Sequence, residues 1–185
     1  DFEDFDFFRY ERTDLKIQPS LTWTTPRQVS SISIAPYYRY VDVSQENDEF
    51  ASDFEQSGLS DVDFDPSSFV GIELSYGMHK VDNPAYPTSG IHFQFEPSYN
   101  LNTTTKKDFT SLQASLTLYN YLWIPKPFVL ATKIEAGINW GDFDFYQANY
   151  LGLSSGLRGF RQNRFGGRSS FVFSNDLRLR LGTIS

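Results

Sequence analysis

Residues 69–80 read FVGIELSYGMHK, with Val70, Ile72, Leu74, Tyr76 and Met78 apolar and Gly71, Glu73, Ser75, Gly77 and His79 between them. A period of two sends successive side chains to opposite sides of a strand, so this segment has one apolar and one polar face. The pattern returns in residues 91–101, where Ile91, Phe93, Phe95, Tyr99 and Leu101 alternate with His92, Gln94, Glu96, Ser98 and Asn100. Seven stretches carry it, roughly 13–24, 29–43, 68–81, 90–101, 109–124, 127–140 and 170–183. No segment holds a helical period, so the chain reads as all-β and antiparallel.

Two features separate this pattern from a soluble β-sandwich. The stretches run to about 12 residues or more, against about 5–6 in an ordinary sheet. Their polar faces carry Lys, Glu, Arg and Asp, while the apolar faces stay nearly free of charge. The connections also alternate in length. TTPRQ (24–28), DNPAYPTSG (82–90) and IPKP (124–127) are short, whereas 44–67, 102–108 and 141–169 are mostly longer and more polar. Short turns at one end and long loops at the other predict a transmembrane β-barrel with the short turns in the periplasm. Trp23 and Trp123 beside short turns, with Tyr38, Tyr40 and Trp140 near the long loops, fit two interfacial girdles.

The composition agrees with that reading. Aromatic residues make up 17% of the 185 residues, yet mean hydropathy is only -0.41, and no apolar run approaches the roughly 18 residues of a spanning helix. A strand needs only about 9–11 residues, alternately apolar. The absence of cysteine removes disulfides, thiolate metal sites and cysteine nucleophiles. The opening DFEDFDFF has neither a basic segment nor a small-residue cleavage site, so the chain is read as a mature protein or a fragment. Seven strands are too few to close a barrel, and open edges in lipid leave costly unpaired backbone groups. Residues 1–185 are therefore expected to be part of one larger barrel domain, with no soluble domain among them.

Two local motifs fall at opposite ends of this sheet. The turn DNPAYPTSG holds Asp82, Asn83, Pro84, Pro87 and Gly90, where the prolines stiffen the backbone and Gly90 permits a positive φ. The long loop after the sixth strand holds LRGF, at Leu157, Arg158, Gly159 and Phe160. Together they resemble the BamA/TamA-like superfamily of outer-membrane assembly and translocation barrels, the bacterial surface antigen family. That resemblance implies roughly strands six to twelve of a sixteen-stranded barrel, with POTRA domains outside this sequence. It also implies that the loop folds into the lumen, where Arg158 meets an acidic residue of the inner wall.

The charge distribution supplies partners for that arginine. YLGLSSGLRGFRQNRFGGRS (150–169) carries Arg158, Arg161, Arg164 and Arg168 and no acid, in a chain of net charge -7. Strand parity turns Glu73, Glu96, Glu135 and Asp176 to the polar face. Asp176 is the first expected partner of Arg158, since it follows the loop on the adjacent strand, and Glu135 is the second. The opposite asymmetry lies in residues 42–65, where nine acids occur without a base, as in a solvated surface loop.

No nucleophile elbow, phosphate loop, zinc motif or dinucleotide fingerprint is present, so neither an enzyme nor a cofactor is expected. His79 and His92 face the lumen beside one turn, but without a third ligand they make a weak metal site, and none is assigned. The acidic balance excludes a nucleic-acid surface. The expected location is the outer membrane of a Gram-negative bacterium. The resemblance implies a factor that inserts and folds β-barrel proteins, with lipid, lipopolysaccharide, nascent outer-membrane proteins and accessory lipoproteins as partners. Alternatives are a two-partner secretion translocase and a barrel anchoring a separate soluble domain, such as a hydrolase.

Overall fold

A computed structural model describes residues 10–27, 29–45, 66–124, 126–151 and 165–179. The strands are β1 (Tyr10–Ile17), β2 (Leu21–Thr24), β3 (Ser30–Gln45), β4 (Ser67–Val81), β5 (Gly90–Asn102), β6 (Phe109–Ile124), β7 (Lys126–Gly141), β8 (Asn149–Leu151), β9 (Phe165–Gly167) and β10 (Ser169–Leu179). Among the described residues, one 3-10 turn, Phe145–Gln147, precedes β8. The main sheet runs in the order β1-β3-β4-β5-β6-β7-β10, with β2 also on β3, and β8 pairs separately with β9. Every pairing is antiparallel. The main sheet is thus a meander, in which each strand pairs with the next main strand in the chain.

The expected first strand, 13–24, is divided, and the reason is chemical. β1 and β2 share one register on β3, with Ile17 opposite Tyr38 and Leu21 opposite Ile34. Continuing that register sets Pro19 opposite Pro36. The bond from Thr25 N–H to the Ser30 carbonyl shows that even-numbered β3 residues bond toward β1 and β2. The two prolines therefore meet where a hydrogen-bonded pair belongs, and neither has an N–H to give. The strand continues in direction but loses its ladder over residues 18–20.

The faces of the sheet are inverted relative to a soluble protein. Leu15, Ile17, Leu21, Trp23 and Ile32 stand exposed on one side of the first strands, as do Val70, Ile72 and Leu74 on β4. Phe171, Phe173 and Leu177 continue this face on β10, each more than half exposed (65%, 57% and 63%). Polar side chains lie buried on the other side, Asn100, Asn102 and Asn139 among them. Apolar surface on this scale belongs against lipid rather than water. Among the described residues, no helix is long and apolar enough to cross a membrane.

Candidate functional site

The polar face is held by contacts that pass from strand to strand. Arg39 on β3 grips Asp14 on β1 with two bonds, Nε to Oδ1 at 2.9 Å and Nη2 to Oδ2 at 2.6 Å. Arg12 donates to the same carboxylate. Lys16 reaches over β3 to Glu73 on β4, 3.3 Å away, with its ammonium 4.6 Å from the centre of the Tyr37 ring. Tyr37 in turn lies across Gly71 and donates its hydroxyl to Asn100 on β5. The Asn100 amide continues to the Phe109 carbonyl on β6 at 3.3 Å. A path of polar contacts thus links β1 to β6 along the inner face.

The connection between β7 and β10 folds onto this wall. Its descending arm, residues 142–151, places Tyr146 in a buried cluster with Val41 of β3, Phe69 of β4 and Phe109 of β6, and Phe143 and Phe145 pack beside it. Arg12 of β1 stacks over the Tyr146 ring at 5.8 Å. Through this cluster and the Arg12 stack, the arm rooted on β7 is tied to β1, β3, β4 and β6. The arm runs inward over residues 142–151, and the LRGF tip, to which the family resemblance assigns the inner wall, lies outside the described residues.

A buried carboxylate anchors the arm. Asp144 accepts from Lys107 Nζ at 3.0 Å through Oδ1 and from the Tyr146 hydroxyl at 3.0 Å through Oδ2. Its backbone N–H donates to Gln147 Oε1 at 2.9 Å, closing the 3-10 turn. Farther along, Asn149 Oδ1 accepts from Gln113 of β6 at 2.6 Å, and Asn149 Nδ2 donates to the Arg168 carbonyl at 2.9 Å. Asn139 of β7 donates to the Gln147 carbonyl at 2.8 Å. The returning arm is fixed by Arg168, whose guanidinium donates to the Gly141 carbonyl at 3.0 Å and stacks on Phe143 at 5.0 Å.

Burial among these rings pushes the Tyr146 phenol well above its ordinary range, and the Asp144 charge adds to the shift. A phenol raised in the folded state contributes stability that is complete below the unfolded pKa of about 10 and declines as pH rises toward the folded value. Protease accessibility of residues 142–151 is therefore expected to rise above about pH 10. Tyr146→Phe should remove that alkaline rise.

The expected site residues fall in three places. Asp176 lies on the inner face of β10, half-buried and opposite Ala131, beside a recess of about 310 Å³ that Lys133, Glu135 and Arg178 also line. Glu135 is ion-paired with Lys133 at 2.8 Å. Glu96 stands exposed opposite Gln113. Leu157, Arg158, Gly159 and Phe160 lie outside the described residues, and so does most of the acidic stretch of 42–65.

In the short turn, Asp82 rather than the prolines gathers the chain. Its Oδ1 accepts from the backbone of Thr88 at 2.9 Å and of Ser89 at 3.0 Å, and the Thr88 hydroxyl donates to Oδ2. These donors hold its carboxyl well below the usual carboxylate range. Asn83 Oδ1 accepts from Ala85 and Tyr86 N–H groups at 2.9 and 3.3 Å. Pro84 and Pro87 lie within this turn, exposed and half-buried respectively. Gly90 adopts φ 131°, where a Cβ would strike the Lys80 carbonyl.

The Asp144 anchor and the Tyr37–Gly71–Asn100 contact are features of the polar face that sequence reasoning passed over. A tyrosine and a glycine at polar-face positions of neighbouring strands were the available sign of the second.

Comparison with known proteins matches this architecture. The model of the Omp85 superfamily domain matches residues 1–184. Among solved structures, BamA from Haemophilus ducreyi lacking POTRA domains 1–3 superposes with a TM-score of 0.75 at 16% identity, over 95% of this chain and 39% of that chain. At that identity the likeness is one of fold, and this chain spans well under half the length of that protein. No curated protein matches the sequence. The family match extends over the inverted sheet and the loop folded onto its polar face, and the chain belongs to the Omp85 superfamily.

Proposed function

We propose that this chain is a wall segment of an outer-membrane barrel that helps other β-barrel proteins insert and fold. The observation carrying the proposal is the loop between β7 and β10, which crosses the inner face and packs against β3, β4 and β6. A wall tied together from within is suited to stay rigid while a weaker seam elsewhere in a sixteen-stranded barrel opens to template a client strand. Lipid and lipopolysaccharide would contact the apolar face, and nascent outer-membrane proteins would be the clients. Arg158 is the residue of the loop tip assigned to the inner wall, with Asp176 as its first partner and Glu135 as its second. Asp176 supports this by its inward position on β10, opposite Ala131.

The test uses the full-length protein reconstituted in vesicles with an unfolded β-barrel client. Accelerated client folding, reduced at least fivefold by Arg158→Ala while the catalyst's own folded gel band persists, is the expected result. Transport of a client into the vesicle interior without its insertion would instead identify a two-partner secretion translocase. Client folding and transport both unaffected by the protein would leave the anchoring role for a separate soluble domain.

A further inference from the structure

His79 on β4 and His92 on β5 are direct cross-strand partners beside the short turn. The His79 N–H bonds to the Val29 carbonyl on the β3 side at 2.7 Å. Toward β5 the two histidines therefore form a non-hydrogen-bonded pair, the kind in which opposed side chains come closest. Their ring centres are 5.0 Å apart, with the planes inclined by 40°. Two imidazoles bound to one tetrahedral metal at about 2.0–2.1 Å have ring centres separated by roughly 5 Å. Among the described residues, neither imidazole makes a hydrogen bond. His79 is exposed, so solvent reaches the pair.

We propose that His79 and His92 chelate one borderline divalent transition metal at the short-turn end of the inner face, with water completing its coordination. Imidazole nitrogen suits copper, nickel and zinc, and ordinary ligand preference places Cu²⁺ above Zn²⁺ at such a site. Hard cations such as Mg²⁺ and Ca²⁺ take oxygen ligands and are excluded. The two ligands sit on different strands, so a bound metal ties β4 to β5 and stabilises the folded state over the unfolded one.

The test is titration of full-length protein, purified without a histidine tag, with Cu²⁺ and with Zn²⁺ by calorimetry and copper spin resonance. The expected result is one saturable equivalent showing two coupled nitrogens, with copper bound more tightly than zinc. His79→Ala and His92→Ala should each weaken that equivalent at least tenfold. The double variant should be little weaker than either single one, because a chelate is lost with its first ligand. Each variant must keep the heat-sensitive compact band, and glutamine replaces alanine where the band is lost. Binding unchanged in both single variants, or no saturable equivalent below about 1 mM, overturns the proposal.

Discussion

Gly71→Ala is expected to destabilise the folded wall by about 3 kcal/mol, at the upper end of what overpacking costs. A Cβ at this position would lie 2.5 Å from Tyr37 Cζ, 2.5 Å from its hydroxyl oxygen and 2.5 Å from the Tyr99 carbonyl oxygen. The first two contacts can be relieved only by swinging the Tyr37 ring away, which breaks its bond to the buried Asn100. The third is backbone, so β5 itself must shift. The measurement is the temperature at which the compact band of the full-length protein is lost on a gel, together with its denaturant midpoint in detergent. Tyr37→Phe should cost less, about 1–2 kcal/mol, because it leaves Asn100 without one donor but disturbs no backbone. In a Tyr37→Ala background, Gly71→Ala should lose part of its effect, since the Tyr99 carbonyl remains. Equal stability of Gly71→Ala and wild type would refute the close packing of this ring.

Asp144→Ala should be nearly as damaging, and its effect should concentrate on the loop. The Asp144 side chain is only 6% exposed and serves two donors, Lys107 and Tyr146. Removing it takes one acceptor from a buried phenol, which keeps its side-chain bond to Ser67, and leaves a partly exposed ammonium, at a cost of about 2 kcal/mol once the solvent near Lys107 is allowed for. The descending arm should then become cleavable by protease within residues 142–151 before the sheet unfolds. Asp144→Asn keeps one acceptor for Tyr146 and should fall between alanine and wild type. Loss of the whole fold in step with the arm would contradict a local anchor.

Much of the fold could be read directly from alternation. The apolar positions Val70, Ile72 and Leu74 of β4 and Phe171, Phe173 and Leu177 of β10 are exposed in the structure, because the period of two is a property of the backbone and survives any surrounding. The division of the first strand could not be read in this way. Pro19 and Pro36 are separately unremarkable, and they interrupt the ladder only because the register opposes them. Side-chain contacts across the sheet were less legible still. Lys107 and Asp144 are 37 residues apart, and Gln113 and Asn149 are 36 apart. Nothing in local spacing announces either pair. The short turn was legible in place but not in cause, since the prolines catch the eye while the Asp82 carboxylate holds the donors. Inward-facing acids followed from parity alone, which is why Asp176 and Glu135 fall on the correct side without their partners being known.

The opposed prolines also have a mechanical meaning. Hydrogen-bonded rungs are what resist sliding of one strand along its neighbour, and the rung of Pro19 and Pro36 has no donor on either side. Between β1 and β2, shear must pass around that gap, through the Arg39 grip on Asp14 above it and the rungs of Leu21–Thr24 below. Under a lateral load the first strand is therefore expected to yield first at residues 18–20, while the wall behind it stays tied.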